Sequence, residues 1–289
     1  MFDGVKICYY DLCLVKMLHA DLKLVFIEHT NLKTRDIKGH SSEYKGLKFK
    51  TFPSGRIVIT GSLHKYFNGG LHNHDSYTVD NLRETLIMLE SEFSIEPNRA
   101  LIQNLEFGVN LIVPFNPKGF IDSLISYKFK SFNTMAIINP GYGKEYFQQQ
   151  YGVKIYNKGL QYGRGEYILR IEKKVLAMCA LNFGKLYLSD LTNPDLWKHC
   201  KKQLVQMLDD IIINEPIPEN QLAKNEKRIY NSIINESKRA NFNRDQRKRY
   251  KKGFNSIISK YGTSHYKPIL VDLINEKCNE LAQLKVHTF

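Results

Sequence analysis

The sequence is short of several things, and each shortage excludes a class of protein. Its five cysteines, Cys8, Cys13, Cys179, Cys200 and Cys278, are odd in number and scattered with no CxxC pair. That argues against a disulfide frame or a thiolate zinc site, and for a reducing compartment. No run reaches the length of about eighteen apolar residues that a membrane span needs. The opening Met1-Phe-Asp-Gly-Val-Lys6 has no basic stretch leading into an apolar one, so no secretory signal is read and a cytoplasmic protein is expected. There is no GxxxxGK[ST] phosphate loop, so the chain brings no ATP-driven unwinding of its own. Acidic residues are also in deficit, with 29 Asp and Glu against 42 Lys and Arg.

The resulting formal charge of +13 on 289 residues points to a polyanionic partner, because each Lys or Arg placed on a phosphate releases condensed counterions. A solubilising excess of lysine is the plainer alternative. The 43% hydrophobic content supports a full core, in one large domain or two modest ones.

From Val5 to about Phe115 the pattern is mostly strands with one clear helix. Leu22–Ile27 has strand length, and Gly46–Phe52 alternates before a Pro53-Ser-Gly55 turn and Arg56-Ile-Val-Ile-Thr60, which together read as a hairpin. Residues 78–93 carry Leu82, Leu86, Leu89 and Phe93 at helical spacing, with Thr78 or Asp80 as N-cap. Leu101–Val113 reads as a buried strand with Glu106, Gly108 and Asn110 on one face. Ile121–Tyr127 suggests a short helix, and Tyr151–Lys158 and Glu166–Val175 two more strands. Asn193-Pro-Asp195 starts a helix that runs to about Ile213. These elements predict an α+β fold, an antiparallel sheet with helices on one face. Two prolines in Glu215-Pro-Ile-Pro-Glu219 mark the best boundary, dividing 1–214 from a basic, all-α C-terminal region at 219–289.

Four segments carry the chemistry. His72 and His74 are two apart, so in an extended segment both imidazoles face one way and could share a metal; a polar surface loop after Gly69-Gly70 is the alternative. His64, beside Lys65, reads as a surface residue. Glu106 sits in an apolar strand, where a carboxylate is costly unless paired or metal-bound, and Gly108 leaves room beside it for a ligand or a backbone to approach. Glu172 repeats this in Leu169-Arg-Ile-Glu172, where an ion pair with Arg170 is the alternative. Hard oxygens with imidazole suit Mg2+ or Mn2+. In Val153-Lys-Ile-Tyr-Asn-Lys158, alternation puts Lys154, Tyr156 and Lys158 outward together, where the two ammonium groups would favour a phenolate at Tyr156. An ordinary edge-strand tyrosine is the alternative.

In this order, Ile59-Thr-Gly-Ser-Leu-His-Lys65 with His72-Asn73, the strand around Glu106, Ile155-Tyr-Asn-Lys158 and Leu169-Arg-Ile-Glu172 resemble the phage and plasmid replication proteins of the gene II/X family, within the tyrosine rolling-circle initiators. The resemblance spans about residues 57–175. It implies a five-stranded nuclease sheet in which Tyr156 attacks an origin phosphodiester, stays joined to the 5′ phosphate and later rejoins the ends, with Lys158 at the family's lysine; Lys154 joins them as a catalytic candidate from strand alternation alone. The resemblance also implies a Mg2+ or Mn2+ ion held by Glu106, Glu172 and at least one of His72 and His74, a bacterial host cell, and possible recruitment of a host helicase. The wider class has a hydrophobic residue between its two histidines; here Asn73 stands there.

Between residues 221 and 260, twelve basic residues face three acidic ones. Arg239, Arg244, Arg247, Lys248, Arg249, Lys251 and Lys252 are expected to hold DNA phosphates, with Lys65 and Arg170 nearer the chemistry. A solvated basic helix is the alternative. Two rival functions remain: a non-catalytic single-stranded nucleic-acid-binding protein that stacks bases on Tyr151, Tyr156 and Tyr162, and a nuclease or integrase-like recombinase that uses water or another tyrosine.

Overall fold

The computed structural model describes residues 1–135, 143–163 and 165–283. In chain order it forms β1 (Phe2–Tyr10), α1 (Leu12–Ala20), β2 (Ile27–Thr30), β3 (Ile37–Tyr44), β4 (Leu47–Thr51), β5 (Arg56–Ser62), α2 (Leu63–Phe67), α3 (Val79–Phe93) and β6 (Leu101–Ile112). There follow α4 (Pro117–Ser123), β7 (Leu124–Tyr127), β8 (Lys130–Ser131), β9 (Asn133–Thr134), β10 (Gly143–Phe147), β11 (Tyr151–Asn157), α5 (Lys158–Gln161) and β12 (Ile168–Val175). The chain continues through α6 (Pro194–Asp209), β13 (Ile211–Ile213), α7 (Lys224–Ile234), α8 (Glu236–Ala240), α9 (Arg244–Tyr261) and α10 (Tyr266–Leu281). This is the expected α+β architecture.

Among the described residues, ten strands make one antiparallel sheet in the order β2-β3-β4-β5-β1-β6-β12-β11-β10-β9, and β13-β7-β8 make a smaller one. The sheet is wider than the five strands the resemblance implies, because β2–β4 extend it at one side and β10 and β9 at the other. Local chemistry explains several elements. Gly55 turns the β4–β5 hairpin at φ +79°, a conformation that favours glycine. Thr78 and Asn81 form a reciprocal capping box at the start of α3, and Asn193 caps α6 with Pro194 in its first turn.

Leu82 and Leu89 of α3, Leu204 and Leu208 of α6, and Leu270 and Ile274 of α10 share a core with Ile7, Ile59, Leu105, Val109, Ile155 and Ile171 of the sheet. The opposite face of the sheet is polar.

Three expectations differ from the structure. Leu22–Ile27 is turn and coil as far as Phe26, with Leu22 98% exposed; Leu24 enters the main core and Phe26 stacks on His19, so these two side chains hold the segment without strand pairing. Ile121–Tyr127 divides into the end of α4 and strand β7, and the helix after Asn193 stops at Asp209, leaving Ile211–Ile213 to pair with β7. In both cases strand pairing overrides local helical spacing.

The C-terminal region packs in two places. α7 and α9 build a small cluster of Leu222, Tyr230, Ile233, Phe254 and Ile257 with Ile212. α10 lies beyond the expected boundary, yet Leu270, Ile274, Cys278 and Leu281 belong to the main core. The Glu215 carboxylate accepts from the backbone N–H groups of His265 at 2.8 Å and Tyr266 at 3.1 Å, which ties the proline-rich segment to the start of α10. The packing units therefore do not follow the 214/219 division; residues 284–289 lie outside the described residues.

Candidate active site

Strand register assembles the site. Glu172 of β12 lies opposite Lys154 of β11 and Gly108 of β6, Arg170 lies between Tyr156 and Asn110, and Lys174 lies opposite Glu106. Directly opposed residues on one face sit about 5 Å apart, so alternation alone brings opposite charges together. The room at Gly108 is taken by backbone, not by a ligand. A Cβ there would collide with the backbone of Ile171 and with Glu172, so the glycine lets β12 seat Glu172 close against β6.

The side chains form one buried network. Arg170 donates from Nε to Glu172 Oε2 at 2.9 Å, from one terminal nitrogen to Asp3 Oδ2 at 3.2 Å, and from the other to Asn110 Oδ1 at 3.1 Å. Lys154 Nζ bridges Glu172 Oε1 at 2.9 Å and Glu106 Oε2 at 3.3 Å, and Lys174 reaches Glu106 at 3.4 Å. Asp3 also accepts from Ser62 Oγ and from Asn73 Nδ2, the latter at 2.7 Å. Asn73 Oδ1 in turn accepts from Lys158 Nζ and from the Tyr162 hydroxyl, both at 2.9 Å.

Burial alone would push the Glu172 carboxyl up, but Arg170 and Lys154 overcome it and hold it at about 2. Glu106 is shifted upward, by burial and then by repulsion from Glu172. Lys154 is raised because the two glutamates outweigh its desolvation. Lys158 goes the other way: burial, then the Arg170 charge, lowers it to about 8.

Tyr156 is not the exposed phenol that its strand position suggests. It is 7% exposed, its hydroxyl donates to Glu172 Oε2 at 3.4 Å, and burial followed by that carboxylate raises it well above an ordinary tyrosine. The flanking lysines do not produce a phenolate, because Lys154 is spent on the two glutamates. Lys158 begins α5 and lies over both tyrosine rings, 5.5 Å from the Tyr156 centroid and 5.0 Å from that of Tyr162. Tyr156, Tyr162, Lys65, Lys154, Lys158 and the carboxylates of Asp3, Glu106 and Glu172 all line one cavity of about 240 Å³.

The histidines stand apart from the glutamates. His72 and His74 lie in the loop after α2, their rings 4.2 Å apart; His72 Nδ1 approaches Asp75 at 3.5 Å, and the His74 ring lies 4.8 Å from that of Tyr162. His64 is buried rather than superficial. It is stacked on Tyr77 and bonded to Asp75 at 2.6 Å, and burial lowers it to about 4 against the opposing charges of Asp3 and Asp75. Among the described residues no group of three or more His, Cys, Asp and Glu side chains is placed to hold a metal ion. The donors His72, His74, Glu106 and Glu172 thus do not fit Mg2+ or Mn2+ as arranged: they form no common ligand group among the described residues, and Arg170 and Lys154 take up the Glu172 oxygens.

Of the expected DNA contacts, Arg170 is buried in its ion pairs. Arg239 is also buried, donating to the carbonyls of Ile233 at 2.7 Å and Ile234 at 3.1 Å, where it caps the end of α7. Lys251 binds Asp209 at 2.7 Å and Asp210 at 3.1 Å, fastening α9 to the end of α6. Arg247 is half-buried over the Phe129 ring. Arg244, Lys248, Arg249 and Lys252 are exposed, and Lys65 is half-buried at the cavity. Tyr151 lies on the core side of the sheet, where it accepts from Lys128 at 2.9 Å, so it is outside the site. Sequence reasoning missed Asp3 and Asn73. Alternation along Phe2–Tyr10 could have marked Asp3 as a strand carboxylate, whereas Asn73 entered only as the neighbour of His72 and nothing local gave it a role.

No family model matches the sequence, and no curated protein does. Solved structures do match. One is the rolling circle replication initiator protein from Geobacillus stearothermophilus, 13% identical, with 79% of this chain and 90% of that chain covered and a TM-score of 0.42. So loose a superposition carries neither function nor residue roles across.

Proposed function

We propose that the chain is a DNA nicking and joining enzyme of rolling-circle replication, with Tyr156 as its nucleophile. The observation that carries this reading is the 240 Å³ cavity, where a tyrosine pair, three lysines and a buried carboxylate network converge. In the proposed step, the Tyr156 oxygen attacks phosphorus and the bond to the 3′ oxygen breaks, leaving a 5′-phosphotyrosine and a 3′ hydroxyl. The phenol proton passes to solvent in the cavity, because Glu172, held at about 2 by Arg170 and Lys154, is too weak a base to take it, and the departing 3′ oxygen takes a proton from solvent. The covalent intermediate keeps the phosphodiester energy for rejoining. Lys158 and Lys65 place positive charge where phosphate oxygens would lie.

Dependence on Mg2+ or Mn2+ is left to the experiment below, because the donors as arranged do not fit the ion, and no step is derived through it. The exposed cations of α9 would hold duplex or displaced strand, and unwinding would need a host helicase. Among the described residues no helix is long and apolar enough to cross a membrane.

The test is incubation with single-stranded DNA, with and without Mn2+, followed by denaturing electrophoresis and mapping of any attached residue. An adduct at Tyr156 supports the proposal. Binding with no adduct favours the second reading, a non-catalytic single-stranded DNA-binding protein. That reading has one observation in its favour: the Tyr156 hydroxyl faces a carboxylate that holds it protonated. Cleavage without an adduct at Tyr156 would favour a nuclease or recombinase using water or another tyrosine.

A further inference from the structure

The polar face of the sheet carries more positive charge than the cavity uses. Lys6, Cys8 and Tyr10 of β1 stand beside Thr60, Val58 and Arg56 of β5, and Lys48 and Lys50 of β4 flank Thr60 and Val58 in turn. The intervening Ile7, Tyr9, Ile57, Ile59 and Phe49 belong to the main core, whereas Cys8 and Val58 do not. Alternation therefore puts the first set on the outer face. Lys48 is matched by Glu43 at 3.1 Å, but Lys6, Lys50 and Arg56 form no ion pair with a carboxylate among the described residues.

This face leads into the site. Lys6, Thr60, Asn104 and Lys174 line a cavity of about 370 Å³ that shares Asp3, Asn73 and Glu106 with the Tyr156 cavity. At the far end, Tyr10 is 66% exposed beside a third cavity of about 350 Å³, where Lys185 Nζ lies 5.1 Å from the Tyr187 ring centroid. From Asp3 to Tyr10 the strand covers about 23 Å, the span of a few extended nucleotides.

We propose that this face is a track for single-stranded DNA, running from Tyr10 past Arg56, Lys50 and Lys6 into the Tyr156 cavity. Charge complementarity argues for a phosphate backbone, and unmatched cations bind phosphate without first breaking an ion pair. Single strand is favoured over duplex because the exposed Tyr10 ring at one end, with half-buried Tyr187 nearby, offers stacking to unpaired bases. The inference rests on the nicking reading only for the strand's destination.

The test is fluorescence anisotropy of a labelled oligothymidylate over a salt series, using the full chain. The combined variant Lys6→Ala, Lys50→Ala, Arg56→Ala should lose affinity on the order of tenfold or more, and its salt slope should become shallower by roughly 0.7 for each lost phosphate contact. Tyr10→Ala should weaken binding with the slope unchanged, a signature of lost stacking. If the combined variant melts early, Lys50→Ala alone, at an exposed position, decides by its slope. Wild-type affinity and slope in a folded variant would overturn the track, and so would full loss in a variant of Arg244, Lys248, Arg249 and Lys252 with none in this one. Covalent adduct formation is scored separately. No adduct from wild type together with lost binding in the variant leaves the track standing and fells the nicking reading; adducts from both with unchanged binding do the reverse.

Discussion

The hydroxyl of Tyr156 and the carboxylate of Glu172 are joined by a 3.4 Å hydrogen bond inside the sheet's polar face, and Arg170 holds the same carboxylate oxygen at 2.9 Å. The arrangement orients the phenol and favours its protonated form. Tyr156→Phe removes only the nucleophilic oxygen and one long hydrogen bond, so it should abolish the adduct while changing stability by less than about 1 kcal/mol and leaving DNA affinity nearly intact. Denaturing electrophoresis and anisotropy on the same preparation check both halves.

The two glutamates should respond differently to neutral substitution. Glu172→Gln leaves Arg170 and Lys154 buried with their main counter-charge gone, at a cost of about 3 kcal/mol or more in urea unfolding. Glu106→Gln relieves repulsion with Glu172 and should cost much less. Any Mn2+ stimulation of cleavage should weaken in Glu106→Gln, whose fold is the better preserved of the two. Equal stability losses would show that the network does not divide this way.

Lys158 gives the reaction an alkaline limit. Its ammonium loses its proton near pH 8, so kcat/KM for nicking should fall as pH rises through about 8. Lys158→Arg keeps the charge and should move that limb to higher pH. For stability the sign is opposite: a lysine depressed in the fold is penalised while charged, so its unfavourable contribution is present below about 8 and fades toward the unfolded value.

His64 should make the fold acid-sensitive. Its folded value of about 4 lies below the ordinary 6.5, so the unfolded chain binds the extra proton between them. Stability present above 6.5 is lost as pH falls through that window, by about 3 kcal/mol for a shift of this size. Urea midpoints between pH 4 and 6.5 should slope less steeply in His64→Phe.

Truncation after residue 218 should not yield a folded enzyme, because it removes Leu270, Ile274, Cys278 and Leu281 from the main core. Soluble expression and thermal melting test this. Alanine at Arg244, Lys248, Arg249 and Lys252 is the milder probe of the tail, and it should lower affinity for duplex without changing the melting temperature.

The sequence by itself determined the parts whose signals are local. Alternation marked β4, β5, β6, β11 and β12, helical spacing with Thr78 and Asn193 marked α3 and α6, and the same alternation placed Glu106, Glu172, Lys154 and Tyr156 on strands. Only the tertiary structure decided what those side chains face. Register set Lys154 against Glu172, the close approach at Gly108 buried the pair, and the loop carrying Asn73 returned to Asp3, seventy positions away. Charge and exposure depend on neighbours far apart in the chain, so Lys154 was taken by two glutamates and Lys158 by Asn73, and Arg239 and Lys251 turned inward to carbonyls and carboxylates. Sequence spacing carries the period of an element, whereas the electrostatics of a buried site belong to contacts between elements that no spacing records.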